Sequence, residues 1–134
     1  MIQASIREVL DGSSPVADMK GSVYVVREGD TVLYVGKADR MCLRDRLHWH
    51  LGEGLAGISS LGDLIKANEP DSYQWQVQVL SVEECNELLH AHGDPHTRRK
   101  VNTAETYMIK LLRPCLNRTS NVDPMPLPMQ YRRQ

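Results

Sequence analysis

The stretch VYVVREGDTVLYVGK, residues 23–37, sets two β-branched runs on either side of Glu28-Gly29-Asp30 and closes on Gly36-Lys37. Valine, tyrosine and leucine in such runs suit a pleated, half-buried surface, and the Gly-Asp pair between them is the strongest hairpin signal in the chain. Loop length then decides which residues face each other, because a slip of one residue turns a side chain to the opposite face. A three-residue loop, Glu28-Gly29-Asp30, pairs Arg27 with Thr31 and places Tyr24 directly across from Tyr34. A two-residue Gly29-Asp30 turn pairs Tyr24 with Val35 and separates the phenols. The first register is the expected one. Standing alone, the tyrosines read as half-buried sheet residues with hydroxyls at the rim.

Around the hairpin, Leu43, Leu47 and Leu51 recur at helical spacing before glycines at 52 and 54. ISSLGDLIKANEP (58–70) reads as a second helix capped by Ser59 or Ser60. QWQVQVL (74–80) alternates strictly and is a third strand. Ser81 with Glu84 at the capping-box position opens another helix that stops at Gly93. The last helix, capped by Asn102 or Thr103, ends at Pro114. This order predicts an α+β fold, a compact sandwich of helices on a three-stranded sheet. Residues 1–20 are an extension with a short amphipathic piece at Ile6, Val9 and Leu10, residues 21–118 the domain, and 119–134 a proline-rich extended tail, disordered or laid over the surface.

At 134 residues the chain can bury roughly two thirds of its unfolded surface, so a real core needs no staples. No run is apolar enough for a bilayer, and the first residues lack the basic and apolar regions of a signal peptide. Three scattered cysteines suit reduced thiols in a cytoplasmic setting. Net charge is −1, against gross basicity as a means of coating nucleic acid. The distribution is uneven: residues 63–94 are mostly acidic, whereas Arg98, Arg99, Lys100, Lys110, Arg113 and Arg118 are opposed only by Glu105. One basic face, or two solvated faces of opposite sign, follows equally from charge.

The ordered set Ser22-Val23-Tyr24, Tyr34-Val35-Gly36, Arg46, His50, Glu105 and Asn117 resembles the GIY-YIG endonuclease superfamily. Serine stands at position 22 where that pattern has glycine, and KADRMC (37–42) lengthens the link into the helix. The spacing of Arg46 and His50, four apart, places them on one helix face; Arg44 and His48 are a rival pair at the same spacing. The resemblance implies a hydrolase: a metal-dependent DNA endonuclease, with Glu105 holding Mg²⁺ (or Mn²⁺) and Tyr24 as general base. A phenol is a poor base unless positive charge lowers its pKa, and Lys37, Arg46 and the metal are placed to supply that charge. Arg46 offers a planar fork for phosphate oxygens. Tyr34 and His50 would orient water or phosphate. Arg44, Arg98, Arg99 and Lys100 are candidate DNA contacts, and Asn117 a brace or a phosphate contact.

Plainer readings stand beside these. Glu105 suits the first turn of any helix, Lys37 a solvated strand end, and Arg98-Arg99-Lys100 a solvated loop. HAHGDPH (90–96) is close to a metallohydrolase run, but Pro95 breaks its spacing and no histidine lies downstream. The rival class is an inactive nucleic-acid-binding or interaction module of the same fold. RNA is an open substrate alongside DNA. No zinc finger or helix-turn-helix is legible, so specificity would come from loops, a homodimer or a partner protein.

Overall fold

The computed structural model describes residues 1–52, 59–96 and 98–133. Strands β1 (Ile2–Ser5), β2 (Ser22–Glu28), β3 (Thr31–Ala38) and β4 (Gln76–Ser81) form one antiparallel sheet in the order β1-β4-β2-β3. Helices α1 (Ile6–Leu10), α2 (Leu43–Leu51), α3 (Ser60–Ala67), α4 (Val82–Ala91) and α5 (Val101–Leu112) complete a compact α+β fold. The sheet has four strands rather than the expected three. The extra one is short, and its last residue, Ser5, already caps α1 in a reciprocal capping box with Glu8. Four residues running straight into a helix leave little alternation to read.

The hairpin turns on the two-residue Gly29-Asp30 loop rather than the expected three-residue one, and its register then shifts. Glu28 pairs with Thr31 across Gly29-Asp30, with Gly29 at φ 55°. Continued regularly, that turn would set Tyr34 opposite Val25 and on the wrong face. Between Val26 and Arg27 the register shifts, and Leu33 is the extra residue, so Val26 pairs with Tyr34 and Tyr24 with Gly36. The β-bulge restores the parity that the turn had broken. Tyr24 and Tyr34 therefore share a face, with ring centroids 6.2 Å apart, but are offset rather than directly opposed.

Helices cover both faces. Tyr24, Val26 and Leu33 meet Ile6, Val9, Leu43, Leu47 and Ile65 from α1, α2 and α3 on one side. Val23, Val25 and Val35 meet Cys85, Leu89 and Met108 from α4 and α5 on the other. Central β2 is consequently buried from Ser22 to Val26, which is why it reads as a nearly continuous apolar run. Fully burying each such valine or leucine contributes roughly 1.5–3 kcal/mol, enough to fix how the helices are rotated.

The free edge of β3 is covered by the chain after α5. Cys115 N–H donates to Val32 O at 3.1 Å and Leu116 N–H to Leu33 O at 2.9 Å. The tail lies over the sheet: Tyr131 is 5 % exposed, meets Trp75 edge-on at 5.5 Å and donates to Glu28 at 2.6 Å. Caps at Ser59 and Ser81 form as expected, but the N-cap of α5 is Lys100 rather than Asn102 or Thr103, and its side chain makes no capping hydrogen bond. The glycine stop of α2 is Gly52, in the left-handed region; Gly54 lies outside the described residues. Among the described residues no helix is long and apolar enough to cross a membrane.

Candidate active site

The rotation of α2 separates the two arginine-histidine pairs. Leu43, Leu47 and His50 are buried at helical spacing, and Arg46 lies on their flank. Arg44 turns instead to Asp18 at 3.6 Å, and the exposed His48 ring meets Leu10 O at 3.1 Å. Arg46 and His50 are thus the pair facing the tyrosines. Arg44 stands beside Gly12, away from the cluster.

His50 is 2 % exposed and bridges two elements. Its Nε2 lies 2.7 Å from the Tyr24 hydroxyl and its Nδ1 2.5 Å from Ser59 Oγ. Ser59 Oγ also accepts the Gly62 N–H at 3.3 Å, so one hydroxyl caps α3 and orients the imidazole. Gly62 has to be glycine for packing: a Cβ there would sit 1.8 Å from the His50 carbonyl. Burial, then the Arg46 charge, holds the His50 pKa down to about 3, so its ring is neutral near pH 7. A neutral ring has one N–H, and when Tyr24 donates to Nε2 the proton on Nδ1 faces Ser59.

Tyr24 has no exposed surface. Burial, and next the neighbouring Tyr34, push its pKa well above the ordinary phenol value, and the lowering by Arg46 does not offset them. The Arg46 charge, expected to lower the pKa of this phenol together with Lys37 and a bound metal, does not by itself offset the desolvation. Tyr34 is half-buried, its ring 5.1 Å from the His50 ring, and its pKa too is raised, mainly by burial.

Arg46, Glu105 and Lys37 complete the cluster from three elements. The charges of Arg46 and Glu105 act on both phenols. Burial raises the Glu105 carboxyl above its ordinary value, and Lys37 and Arg46 pull it back. Lys37 donates to Asn102 on the first turn of α5, tying the end of β3 to the helix that carries Glu105. The Arg46 guanidinium rests over the Trp49 ring at 4.3 Å, and its buried Nε has no hydrogen-bond partner among the described residues. Trp49 in turn meets His50 edge-on at 5.0 Å.

The other candidates lie elsewhere. Asn117 accepts Val35 N–H at 2.9 Å and donates to Val35 O at 2.8 Å, so its amide is engaged at both ends as a rung on the edge of β3. Arg99 is 7 % exposed along its side chain, 2.9 Å from Asp94 and stacked on Tyr107 at 3.8 Å. It fastens the α4–α5 connection, and its backbone is clamped by Asn86. Of that basic run only Arg98 and Lys100 are exposed. In the 90–96 segment, the His90 ring meets Asp94 O, the His92 ring meets Leu88 O at the end of α4, and Asp94 serves Arg99. Among the described residues no three His, Cys, Asp or Glu side chains are grouped for a metal ion.

Sequence reasoning missed Ser59 and Trp49. The serine signals a cap, and nothing local to it reveals the histidine nine positions earlier. Trp49 could have been found: three residues after Arg46 on a helix, an aromatic ring is within reach of the guanidinium. Compared with known proteins, the chain matches no family model, and searches of the curated proteins and of the solved structures give no significant match.

Proposed function

We propose that the protein is a metal-dependent endonuclease that hydrolyses DNA phosphodiester bonds. One observation carries the reading: two tyrosines, a neutral buried histidine, an arginine whose Nε is unengaged among the described residues and a half-buried carboxylate converge from β2, β3, α2 and α5.

A phosphodiester carries negative charge that grows at its oxygens during attack, and Arg46 is the planar cation positioned to meet it. Tyr24 keeps its proton at neutral pH. It therefore serves as a base only if it passes that proton to His50 Nε2 as its oxygen takes one from the attacking water. Burial depresses His50 most and the Arg46 charge next; phosphate bound at Arg46 offsets the second of these and so raises the affinity of the ring for that proton. Ser59 holds the ring in the receiving orientation, and Tyr34, the half-buried phenol, positions the water. Glu105 is a lone hard-oxygen donor, which fits Mg²⁺ or Mn²⁺ binding through one carboxylate with water and phosphate filling the remaining positions. When bound, the ion would polarise the phosphoryl group and stabilise the departing oxygen. The three free cysteines, two of them buried, agree with a cytoplasmic setting.

A second reading, a module that binds nucleic acid without cutting it, draws on the complete burial of Tyr24. Nicking of supercoiled plasmid with Mg²⁺ or Mn²⁺ separates the two. The nuclease reading expects cleavage lost in Glu105→Ala and in Tyr24→Phe. Binding without any cut supports the module, and equal nicking by wild type and Glu105→Ala refutes the assignment.

A further inference from the structure

A groove of about 390 Å³ opens beside the cluster, lined by Lys37, Asp39, Arg40, Met41, Arg46 and Asn102. It shares Lys37 and Arg46 with the site, so a strand held at Arg46 enters it directly. Arg40 and Met41 come from the link between β3 and α2, and no step above uses them. Both are exposed, and among the described residues Arg40 takes part in no ion pair. Three cations face one carboxylate, Asp39, and Lys37 is pinned by Asn102. A positively charged groove with an apolar side chain at its wall, continuous with a phosphate-binding arginine, complements a sugar-phosphate backbone.

We infer that this groove seats the DNA backbone flanking the cleaved bond, with Arg40 on a phosphate that is not cut and Met41 against its sugar; the inference rests on the proposed nuclease reading. Such a contact holds substrate and transition state alike, so it acts on KM rather than kcat.

The test measures anisotropy of a short labelled duplex across a KCl series, with Glu105→Ala as the uncleaving background. Adding Arg40→Ala is expected to weaken binding about 3- to 10-fold and to make the salt slope shallower by about one. Arg40→Lys should restore the slope, and Arg132→Ala, an equal charge loss at an exposed residue outside the groove, should leave it unchanged. In cleavage, Arg40→Ala alone raises KM by a similar factor and leaves kcat within about twofold. An unchanged slope and KM in Arg40→Ala, or an equal loss in Arg132→Ala, overturns the groove even if the protein cuts DNA. An Arg40-dependent slope in a chain that never cuts keeps the groove and refutes the nuclease.

Discussion

The ring of Tyr24 lies across the backbone of its register partner Gly36, where a Cβ would meet the ring Cζ and the hydroxyl oxygen at 2.4 Å. Glycine is required for space, because any side chain would push the phenol off His50. Gly36→Ala should therefore lose about 1–3 kcal/mol of stability, the usual range for overpacking a core. It should also break the Tyr24–His50 hydrogen bond. Urea unfolding gives the first quantity and the His50 imidazole nitrogen shifts the second. Unchanged shifts in a stable Gly36→Ala protein would show that the ring has another place to go.

Much of this arrangement was legible as parity. Alternation in VYVVREGDTVLYVGK announces two strands, and the pairing of both phenols on one face was the right conclusion. The route to it was not legible. Turn chemistry at Gly29-Asp30 and the burial of Leu33 compete, and the bulge satisfies both by adding a residue on the core side. Local sequence does not encode that outcome, since the cavity that Leu33 fills is built by distant helices. The same applies to Tyr24: its residue type suggested a base, whereas its ionisation is set by how deeply the layers bury it. Arg44 and Arg46 were equivalent by spacing, and the leucines of α2 separated them.

The depressed His50 pKa makes stability fall in acid. The unfolded chain takes up a proton at this residue below about pH 6.5, whereas the folded chain does not until about pH 3. Folding stability contributed here is therefore complete above pH 6.5 and declines through that window by about 1.4 kcal/mol per pH unit. Glu105, whose pKa is raised, acts with the opposite sign, so the wild-type curve is a sum. Subtracting the curve of His50→Gln isolates the histidine, and the difference should slope only between about pH 6.5 and 3. A flat difference curve would mean that His50 takes up its proton at the same pH in the folded and the unfolded chain.

Asn117 holds an edge rather than a phosphate. Asn117→Ala leaves the N–H and C=O of Val35 without their partners, at a cost of about 1–3 kcal/mol. Thermal or urea unfolding should register that loss, and the salt dependence of duplex binding, measured where the variant is folded, should not change. A shallower salt slope would instead assign the amide a contact with DNA.

Trp49 positions Arg46. The indole is 44 % exposed, more than core packing alone explains, and it carries the guanidinium at 4.3 Å while its edge meets the His50 ring. A cation over an indole gains about 0.5–2 kcal/mol, so on the proposed nuclease reading losing that restraint should lower kcat about 2- to 30-fold in Trp49→Ala. Trp49→Phe keeps a ring face and should recover part of the loss. The urea midpoint should move little in either variant, since the residue contributes more to the placing of Arg46 than to the core. An Arg46→Ala background should abolish the difference between tryptophan and alanine at position 49, because no guanidinium remains to be held. If Trp49→Ala lowers kcat by the same factor with and without Arg46, the indole acts through His50 or directly on substrate, and the stacking has no part in catalysis.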